Sequence, residues 1–171
     1  MFWVVCTRVD ATLMVPIPRE ATMAEQVIIP RERGIFDSGF SEIRLEEDLV
    51  FARSCGPTTL EDMKLMYEIN RDVVDRYGYV LVLIDCRLGS TTTPEARKYQ
   101  SEQLKKRIFP SHTALYGIGI VARTTVTLML RATELLTGKS YPVEMVPDEE
   151  SARKILVAAR ERLRQQVSAT R

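Results

Sequence analysis

The sequence contains few of the residues that build metal sites and disulfide frameworks. Its 171 residues include three cysteines and one histidine, and no two cysteines stand at C-x-x-C spacing. A structural zinc site takes four such ligands, and a disulfide framework needs paired cysteines. The sequence therefore predicts no bound metal and no disulfides, and free thiols are typical of the reducing cytoplasm.

Long hydrophobic runs and an excess of one charge are also missing. No apolar run approaches the roughly 20 residues that cross a bilayer, and the N-terminus lacks the basic start of a signal peptide. With 24 basic and 23 acidic residues the net charge is +1, whereas nucleic-acid binding needs a clustered positive field. These absences predict a cytoplasmic protein that is not integral to a membrane and does not bind nucleic acid as its main partner.

Residues 1–40 differ in pattern from the rest of the chain. They carry three prolines and two glycines and show no sustained period of 2 or 3.6 residues. This pattern predicts an extended or partly disordered leader. Met23 opens the segment MAEQVIIPRERG, which has the character of a second translation start. We therefore hypothesise that residues 1–22 are an over-long gene assignment, which a native peptide from within them would refute.

The remaining chain, residues 41–171, is predicted to form a single α/β domain. Alternating apolar and polar residues over SEIRLE and LVFARSC indicate a hairpin. The continuous apolar run YVLVLIDC (79–86) is typical of a parallel strand buried on both faces. Residues 112–119 and 141–146 predict two further strands, each followed by a helix. This alternation indicates a mixed, largely parallel central sheet with an N-terminal antiparallel hairpin and helices packed on it.

Four helices are predicted from apolar spacing of three and four residues and from their boundary residues. The first is capped by Thr58 or Thr59 and ends at Gly78, and the second has proline at its first position. The third, residues 120–137, is the most apolar, and Asp148 caps the last. In the third helix the residues expected to face inward are Val121, Leu128, Met129, Ala132, Leu135 and Leu136.

The segments VLVLIDCRLGSTTTPEARK, HTALYGIGIVARTTVTLMLRATELL and YPVEMVPDEESARKIL resemble the bacterial SpoIIAA-like, or STAS-type, domains. The resemblance covers roughly residues 41–165 and rests on three fold-level patterns. The first is a buried strand ending in aspartate before a Ser/Thr loop. The second is a strand leading into a long apolar helix, and the third is a short strand before an acidic-capped helix.

This resemblance implies a non-enzymatic regulatory or protein-interaction domain, acting with a protein partner or as a homodimer. In the anti-sigma-factor antagonists of the family, a partner kinase phosphorylates a serine in the loop after the central strand. The related CRAL-TRIO fold binds a hydrophobic ligand, which leaves open a carrier or sensor of a lipid or other apolar small molecule. Here Ser90, Thr91, Thr92 and Thr93 occupy the loop, and the family's Asp-Ser pair at the helix start is absent.

The loop of residues 87–94 is the preferred functional surface, because open α/β sheets bind ligands beyond the carboxyl ends of parallel strands. A phosphate on one of its hydroxyls would lie near a helix N-terminus, where backbone N–H groups favour negative charge. The competing interpretation is ordinary turn and capping chemistry, with Thr93 as the helix cap. The predicted residues of this regulatory or binding loop are Asp85, Arg87, Ser90, Thr91, Thr92 and Arg97.

A nucleotide-binding enzyme is a third, less favoured hypothesis, and it rests on a glycine motif. The segment GIGIVA (117–122) fits G-x-G-x-x-A between a strand and a helix, with Glu144 about 20 residues on as a ribose-binding acid. Close packing of the strand against the helix explains the same glycines without a ligand. The residues that would hold an anion or ligand at this turn are Gly117, Gly119, Arg123 and Thr124.

The remaining polar and thiol groups predict structural roles, so neither catalytic residues nor a cofactor are expected. Asp85 is expected to accept hydrogen bonds from N–H groups of the following loop. His112 opens a strand and has no nucleophile and acid in a known triad arrangement, so a structural histidine is predicted. Cys55 and Cys86 are expected to be small buried hydrophobes.

Overall fold

The structure, a computed structural model, describes residues 26–30, 39–106, 110–138 and 141–170. Within these ranges the chain forms a mixed six-stranded sheet, a separate two-stranded sheet and four helices, which confirms the predicted α/β class. The strands are β1 (Gln26–Pro30), β2 (Phe40–Glu46), β3 (Leu49–Ser54), β4 (Gly56–Thr58), β5 (Val80–Asp85), β6 (Ser90–Thr92), β7 (Ser111–Tyr116) and β8 (Val143–Val146). The helices are α1 (Leu60–Tyr77), α2 (Pro94–Lys106), α3 (Ile120–Thr137) and α4 (Glu149–Thr170).

Some sequence-based predictions concern residues outside these ranges. The hypothetical start at Met23 and the thiol of Cys6 are among them. Most of the predicted leader also lies outside the described residues. Within that leader, Gln26–Pro30 forms β1, which pairs antiparallel with β2.

The strand order in the large sheet is β1-β2-β3-β5-β7-β8. Strands β1, β2 and β3 pair antiparallel, whereas β3, β5, β7 and β8 run parallel. The predicted hairpin is β2 and β3, and β5 lies between β3 and β7, as its continuous apolar run predicts. Its residues Leu81 and Leu83 are completely buried.

The helices divide between the two faces of the sheet. Helix α1 packs Ile69 and Val73 against Val80 and Val82, and this side is called the α1 face below. Helix α4 covers the opposite side, the α4 face, on which Leu81, Leu83 and Ala114 contact its residues Ala152, Leu156, Ala159 and Leu163. Each crossover from β3 to β8 steps in the same direction along the sheet. Because such crossovers are right-handed, α1, α2 and α3 all lie on the α1 face.

Helix α1 begins and ends at the residues that its sequence indicates. The Thr59 hydroxyl accepts from the Asp62 N–H, and the Asp62 carboxylate accepts from the Thr59 N–H, which completes a capping box. Gly78 ends the helix in the left-handed region at φ 80° and donates its N–H to the Val74 carbonyl. The cap contributes about 1 kcal/mol to the stability of the fold.

Helix α3 has the predicted bounds, but the prediction that its apolar residues face inward is wrong. Val121 and Leu135 are more than four-fifths exposed, Leu128 is 61% exposed, and Ala132 is exposed as well. Met129 is half-buried, and the side chain of Leu136 lies outside the described residues. The physical reason is position. Helix α3 joins β7 to β8, a four-residue strand at the edge of the described sheet, so little sheet lies beneath it to cover its apolar surface.

The Ser/Thr segment is also more regular than a loop. Ser90–Thr92 forms β6, which pairs in parallel with β4 in the two-stranded sheet. Residues 56–57 are a glycine–proline pair, which usually interrupts regular structure, but here they belong to the strand β4. The Thr93 N–H continues the pairing by donating to the Thr58 carbonyl. Pairing satisfies backbone groups that a loop would leave to water, and it fixes this segment beside the start of α1.

Candidate functional site

Asp85 is the last residue of the central strand β5, and it is buried at the carboxyl edge of the sheet. Its in-register neighbours are Arg53 on β3 and Tyr116 on β7. The side chain is 1% exposed, although an ionised carboxylate needs hydrogen-bond donors or counter-ions when it leaves water. The edge of the sheet must therefore supply such partners.

Two arginines supply them. Asp85 Oδ1 accepts from the Arg87 backbone N–H and from Arg87 Nε, both at 3.0 Å. Oδ2 accepts from Arg87 Nη2 at 2.7 Å and from Arg53 Nε at 3.1 Å. Burial alone would raise the pKa of Asp85, but the hydrogen bonds from Arg87 and Arg53 outweigh it and hold the pKa well below 3.8. The prediction that Asp85 accepts from the following loop is confirmed.

Arg87 closes the space above Asp85 by packing on the end of β7. Its guanidinium carbon lies 5.4 Å from the ring centroid of Tyr116, a cation–π distance. The Tyr116 hydroxyl donates to Glu149 at 3.1 Å, and the pKa of Tyr116 is raised, chiefly by burial and then by the charge of Asp85. We call Arg53, Asp85, Arg87, Tyr116 and Glu149 the Asp85 cluster.

The Asp85 cluster is unsuited to acid–base catalysis. A general base must take a proton near neutral pH, whereas four hydrogen bonds and two cations hold Asp85 ionised. The parallel strands also lack a point where their crossovers reverse direction, which is where open α/β sheets form a ligand crevice. The cluster is therefore a rigid polar cap on the sheet.

The Ser/Thr segment lies beside this cap. Thr91 is exposed and Thr92 is half-buried, while the side chain of Ser90 is outside the described part of the chain. The Thr93 hydroxyl accepts from the Ala96 N–H at 3.3 Å, which confirms its capping role. Arg97 is exposed, one turn into α2. Of the predicted loop residues, the structure brings Asp85 and Arg87 into contact.

The glycine turn after β7 is filled by Arg87. Gly117 has φ 71°, and a Cβ built there would lie 2.3 Å from Arg87 Cγ. Close approach by Arg87 therefore accounts for this glycine. Gly119 is the N-cap of α3 with φ −69° and makes no side-chain cap. The two groups of predicted site residues thus meet at one contact, between Arg87 and Gly117.

The other residues of the predicted anion turn are engaged within the fold. Arg123 Nη2 donates to the Met145 carbonyl at 3.4 Å, and the Thr124 hydroxyl donates to the Ile120 carbonyl at 3.1 Å. Glu144, the residue expected at a ribose, lies on the α4 face, where Oε1 is 3.0 Å from His112 Nε2. These contacts leave the nucleotide hypothesis without its acidic residue.

The histidine and the described cysteines have the structural positions that were predicted. His112 is 6% exposed, and burial lowers its pKa below 6.5 although the nearby Glu144 acts in the opposite sense. Cys55 and Cys86 are buried free thiols. The half-buried Met129 and the buried Met63 and Met66 fill apolar space.

A second buried carboxylate was missed by sequence reasoning. Asp48, in the turn between β2 and β3, is 1% exposed and accepts from Arg160 at 2.7 Å and from the Tyr79 hydroxyl. Arg164 Nε in turn donates to the Tyr79 oxygen at 3.1 Å. The available signal was the pair of arginines four residues apart on the last helix, but their partner lies 112 residues earlier than Arg160.

Comparison with family models, with curated proteins and with solved structures finds no match to this chain. Among the residues that the structure describes, no three His, Cys, Asp or Glu side chains are grouped to hold a metal ion. No helix within the same ranges is long and apolar enough to span a bilayer. A function for this chain is therefore inferred from its own geometry.

Proposed function

We propose that this chain is a non-enzymatic, cytoplasmic regulatory domain of the STAS, or SpoIIAA-like, type, which acts by binding a protein partner. The observation that carries the proposal is the closed Asp85 cluster beside the exposed Thr91. The charged groups at this edge of the sheet, Asp85 and Arg87, are hydrogen-bonded to each other. The hydroxyl of Thr91, which lies on the paired strand β6, is exposed to solvent. Such a surface suits recognition better than turnover.

The position of β6 supports a switch by phosphorylation. The strand leads directly into α2, so a phosphate on Thr91 would lie close to the N-terminal end of that helix and gain from its dipole. Arg97 is exposed on the first turns of α2, and Arg87 follows the same central strand as the segment. A phosphate would also compete with Asp85 for Arg87, because a dianion attracts a guanidinium more strongly than a single carboxylate does.

The test is to compare partner capture by the wild-type chain and by Ser90→Ala, Thr91→Ala and Thr92→Ala combined. Affinity purification from native cells with mass spectrometry should recover a protein partner or a phosphorylated peptide spanning residues 90–93. We expect the triple variant to lose the partner by tenfold or more. The matched control is Ser101→Ala with Ser168→Ala, at exposed helix positions. Undiminished capture by a folded triple variant would refute the switch.

A carrier of an apolar small molecule is the second candidate, and the loose covering of the sheet by α3 favours it. Thr113, Val143 and Met145 lie on the α1 face and are only half-buried. A lipid tail between α3 and these residues would complete their burial. Native mass spectrometry of protein from its own cells should then show a bound small molecule. A mass equal to the polypeptide alone would count against the carrier.

A further inference from the structure

Strand β8 lies at one end of the strand order, and its outer edge presents backbone groups that no described strand pairs with. The Thr113 N–H donates to the Pro142 carbonyl, and the register between β7 and β8 continues without a shift. Hydrogen-bonding groups alternate between the two edges of a strand, so those of Pro142 and Glu144 face β7. The N–H and carbonyl groups of Val143 and Met145 consequently face away from the sheet.

A side chain of α3 shows that one of these outward groups is accessible. Arg123 Nη2 donates to the Met145 carbonyl at 3.4 Å, which is longer than the roughly 2.7–3.2 Å of a normal N–H···O bond. Arg123 is itself exposed, so a backbone N–H would displace it at little cost. The Met145 carbonyl thus points outward, as the register requires, and accepts a weak bond in the place where a strand would bind.

The two edge strands of the six-stranded sheet differ in how they resist further pairing. Strand β1 has an irregular register between Val27 and Ile29 and ends at Pro30, and both features obstruct another strand. Strand β8 has the sequence VEMV, with neither proline nor lysine, and its pairing with β7 is regular. Its length of four residues limits uncontrolled association but leaves room for one short strand.

The packing of α3 is incomplete at the same edge. The side of α3 that faces the sheet includes Val126, Met129 and Leu130, and all three are only half-buried. Val143 and Met145, which lie on the α1 face of β8, are half-buried as well. One more strand would widen the sheet by about 4.8 Å at the edge that α3 adjoins. Burial of these apolar side chains would then add to the backbone hydrogen bonds of the new strand.

We propose that the outer edge of β8 binds an extended segment of another protein, which adds to the sheet as a further strand. This mode of recognition takes affinity from main-chain hydrogen bonds and specificity from alternate side chains. Partner residues opposite Val143 and Met145 lie on the α1 face and are apolar, and the residue opposite Glu144 lies on the α4 face and is basic. The inference rests on the proposed function in requiring a protein partner, but its test with peptides does not depend on Ser90–Thr92.

The charge of Glu144 is the reason for a basic residue in the partner. The Glu144 side chain is 46% exposed, and its Oε1 lies 3.0 Å from His112 Nε2. Burial lowers the pKa of His112 below 6.5, so at neutral pH the imidazole does not offset the carboxylate. Within the described ranges Glu144 forms no salt bridge with a lysine or arginine. A basic side chain on the added strand would lie directly opposite this carboxylate, where cross-strand pairs of opposite charge are favourable.

The first experiment measures amide hydrogen exchange by NMR on the full-length chain alone. The N–H groups of Glu144 and Val146, which bond to β7, should exchange at least about tenfold more slowly than those of Val143 and Met145. Slow exchange of Val143 and Met145 in dilute chain would show that the chain covers this edge itself. Slow exchange that appears only in concentrated chain would assign the edge to a second copy. Either of these results would overturn the proposal.

The second experiment titrates the chain with the peptide acetyl-Ser-Thr-Val-Lys-Val-Thr-Ser-amide and with the same peptide carrying glutamate in place of lysine. The order of side chains is the same in both directions, so strand direction does not affect the result. The lysine peptide should slow the exchange of the Val143 and Met145 N–H groups and should bind about threefold or more tightly than the glutamate peptide. Absence of binding by the lysine peptide at millimolar concentration, or equal binding by both peptides, would overturn the proposal.

Single substitutions distinguish an edge contact from a general loss of structure. Met145→Pro removes an outward N–H and no bond to β7, so the fold should persist and the lysine peptide should bind tenfold or more weakly. Met145→Val keeps that N–H and is the matched control, which should bind like the wild type. Undiminished binding by Met145→Pro would refute the added strand.

A charge reversal provides a second readout if Met145→Pro fails to fold in thermal unfolding. Glu144→Lys should reverse the preference between the two peptides, because the carboxylate that attracts the lysine is replaced by a cation. Glu102→Lys, at an exposed position on α2, is the control and should leave the preference unchanged. A folded Glu144→Lys chain that still prefers the lysine peptide would overturn the assignment of the site to this edge.

Discussion

Asp85 and Asp48 are buried carboxylates at opposite ends of the parallel strands, and their hydrogen-bond partners differ in how readily the sequence predicts them. Asp85 ends an apolar run, and its partner Arg87 is two residues away, so local sequence indicates its hydrogen bonds. Asp48 lies in a turn whose polar sequence is typical of solvent exposure, and its partner Arg160 belongs to the last helix. Sequence patterns report local neighbours well, whereas contacts between distant segments arise only when the sheet and helix pack.

Replacement of Asp85 by asparagine should lower the free energy of unfolding by about 2 kcal/mol at pH 7, because hydrogen bonds to a charged group are lost. The pKa of Asp85 is lowered in the folded state, so its contribution is present above the unfolded value near 3.8 and is lost as the pH falls. Urea unfolding should therefore show the difference between the two proteins shrinking from pH 5 to pH 2. The exposed Asp75→Asn is the control, and a constant difference would contradict the assignment.

His112 should titrate below 6.5, because burial disfavours its imidazolium form more than Glu144 favours it. The chain has one histidine, so one imidazole resonance in a proton–carbon NMR spectrum gives the midpoint directly. The lowered pKa means that this group's stabilising contribution is present above pH 6.5 and is lost as the pH falls toward the folded pKa. Glu144→Gln should lower the midpoint further. A wild-type midpoint at or above 6.5 would disagree with the buried geometry.

At the scale of elements, the ends of the helices could be predicted from the sequence, but the elements that each helix or strand packs against could not. Thr59, Gly78, Gly138 and Asp148 stand at helix ends in the structure, as their local chemistry indicates. The face of α3 was predicted wrongly, because periodicity identifies apolar sides but cannot say how much sheet lies beneath a helix. The strand β6 was missed for a related reason: its three residues gain their pairing from β4, which is remote in sequence.

The turn between β7 and α3, with Gly117 and Gly119, and the C-terminal end of α3, with Gly138, offer a test by three glycine-to-alanine replacements. Gly138→Ala meets no neighbour within 4 Å but has φ 65°, so it should destabilise by about 1 kcal/mol. Gly117→Ala has a similar φ and would also displace Arg87 from Asp85, so its effect should be clearly larger. Gly119→Ala has an open site and negative φ and should cost about 0.5 kcal/mol. Chemical unfolding ranks the three, and equal effects at positions 117 and 138 would refute the packing role of Arg87.

At the scale of the whole molecule, helix α4 contacts both the N-terminal hairpin and the parallel strands of the sheet. Arg160 binds Asp48 in the turn between β2 and β3, and Arg153 donates to Glu46 at 2.8 Å beside the same turn. Leu156 and Ala159 pack on the central strands between these contacts. Because one helix contacts both the hairpin and the parallel strands, we expect the described domain to unfold as a single cooperative unit.

Arg160→Ala should destabilise the domain by about 3 kcal/mol, because Asp48 would remain buried without its closest counter-ion. Arg160→Lys should recover part of this loss, since an ammonium group cannot reproduce the two parallel guanidinium hydrogen bonds, from Nε to Oδ2 and from Nη2 to Oδ1 of Asp48. Arg162→Ala, two residues along the same helix and exposed, should change stability by less than about 0.5 kcal/mol. Differential scanning calorimetry measures all three variants. Similar melting temperatures for the two alanine variants would show that the buried pair does not tie α4 to the hairpin.

The position of α4 in the chain has a consequence for biosynthesis. Phe51, Leu81 and Leu83 are all made before the helix that shields them, so a nascent polypeptide carries an uncovered apolar layer until α4 has been translated. Such intermediates recruit chaperones or aggregate. A premature stop codon ahead of α4 should consequently yield insoluble product or rapid degradation rather than a shortened, functional domain.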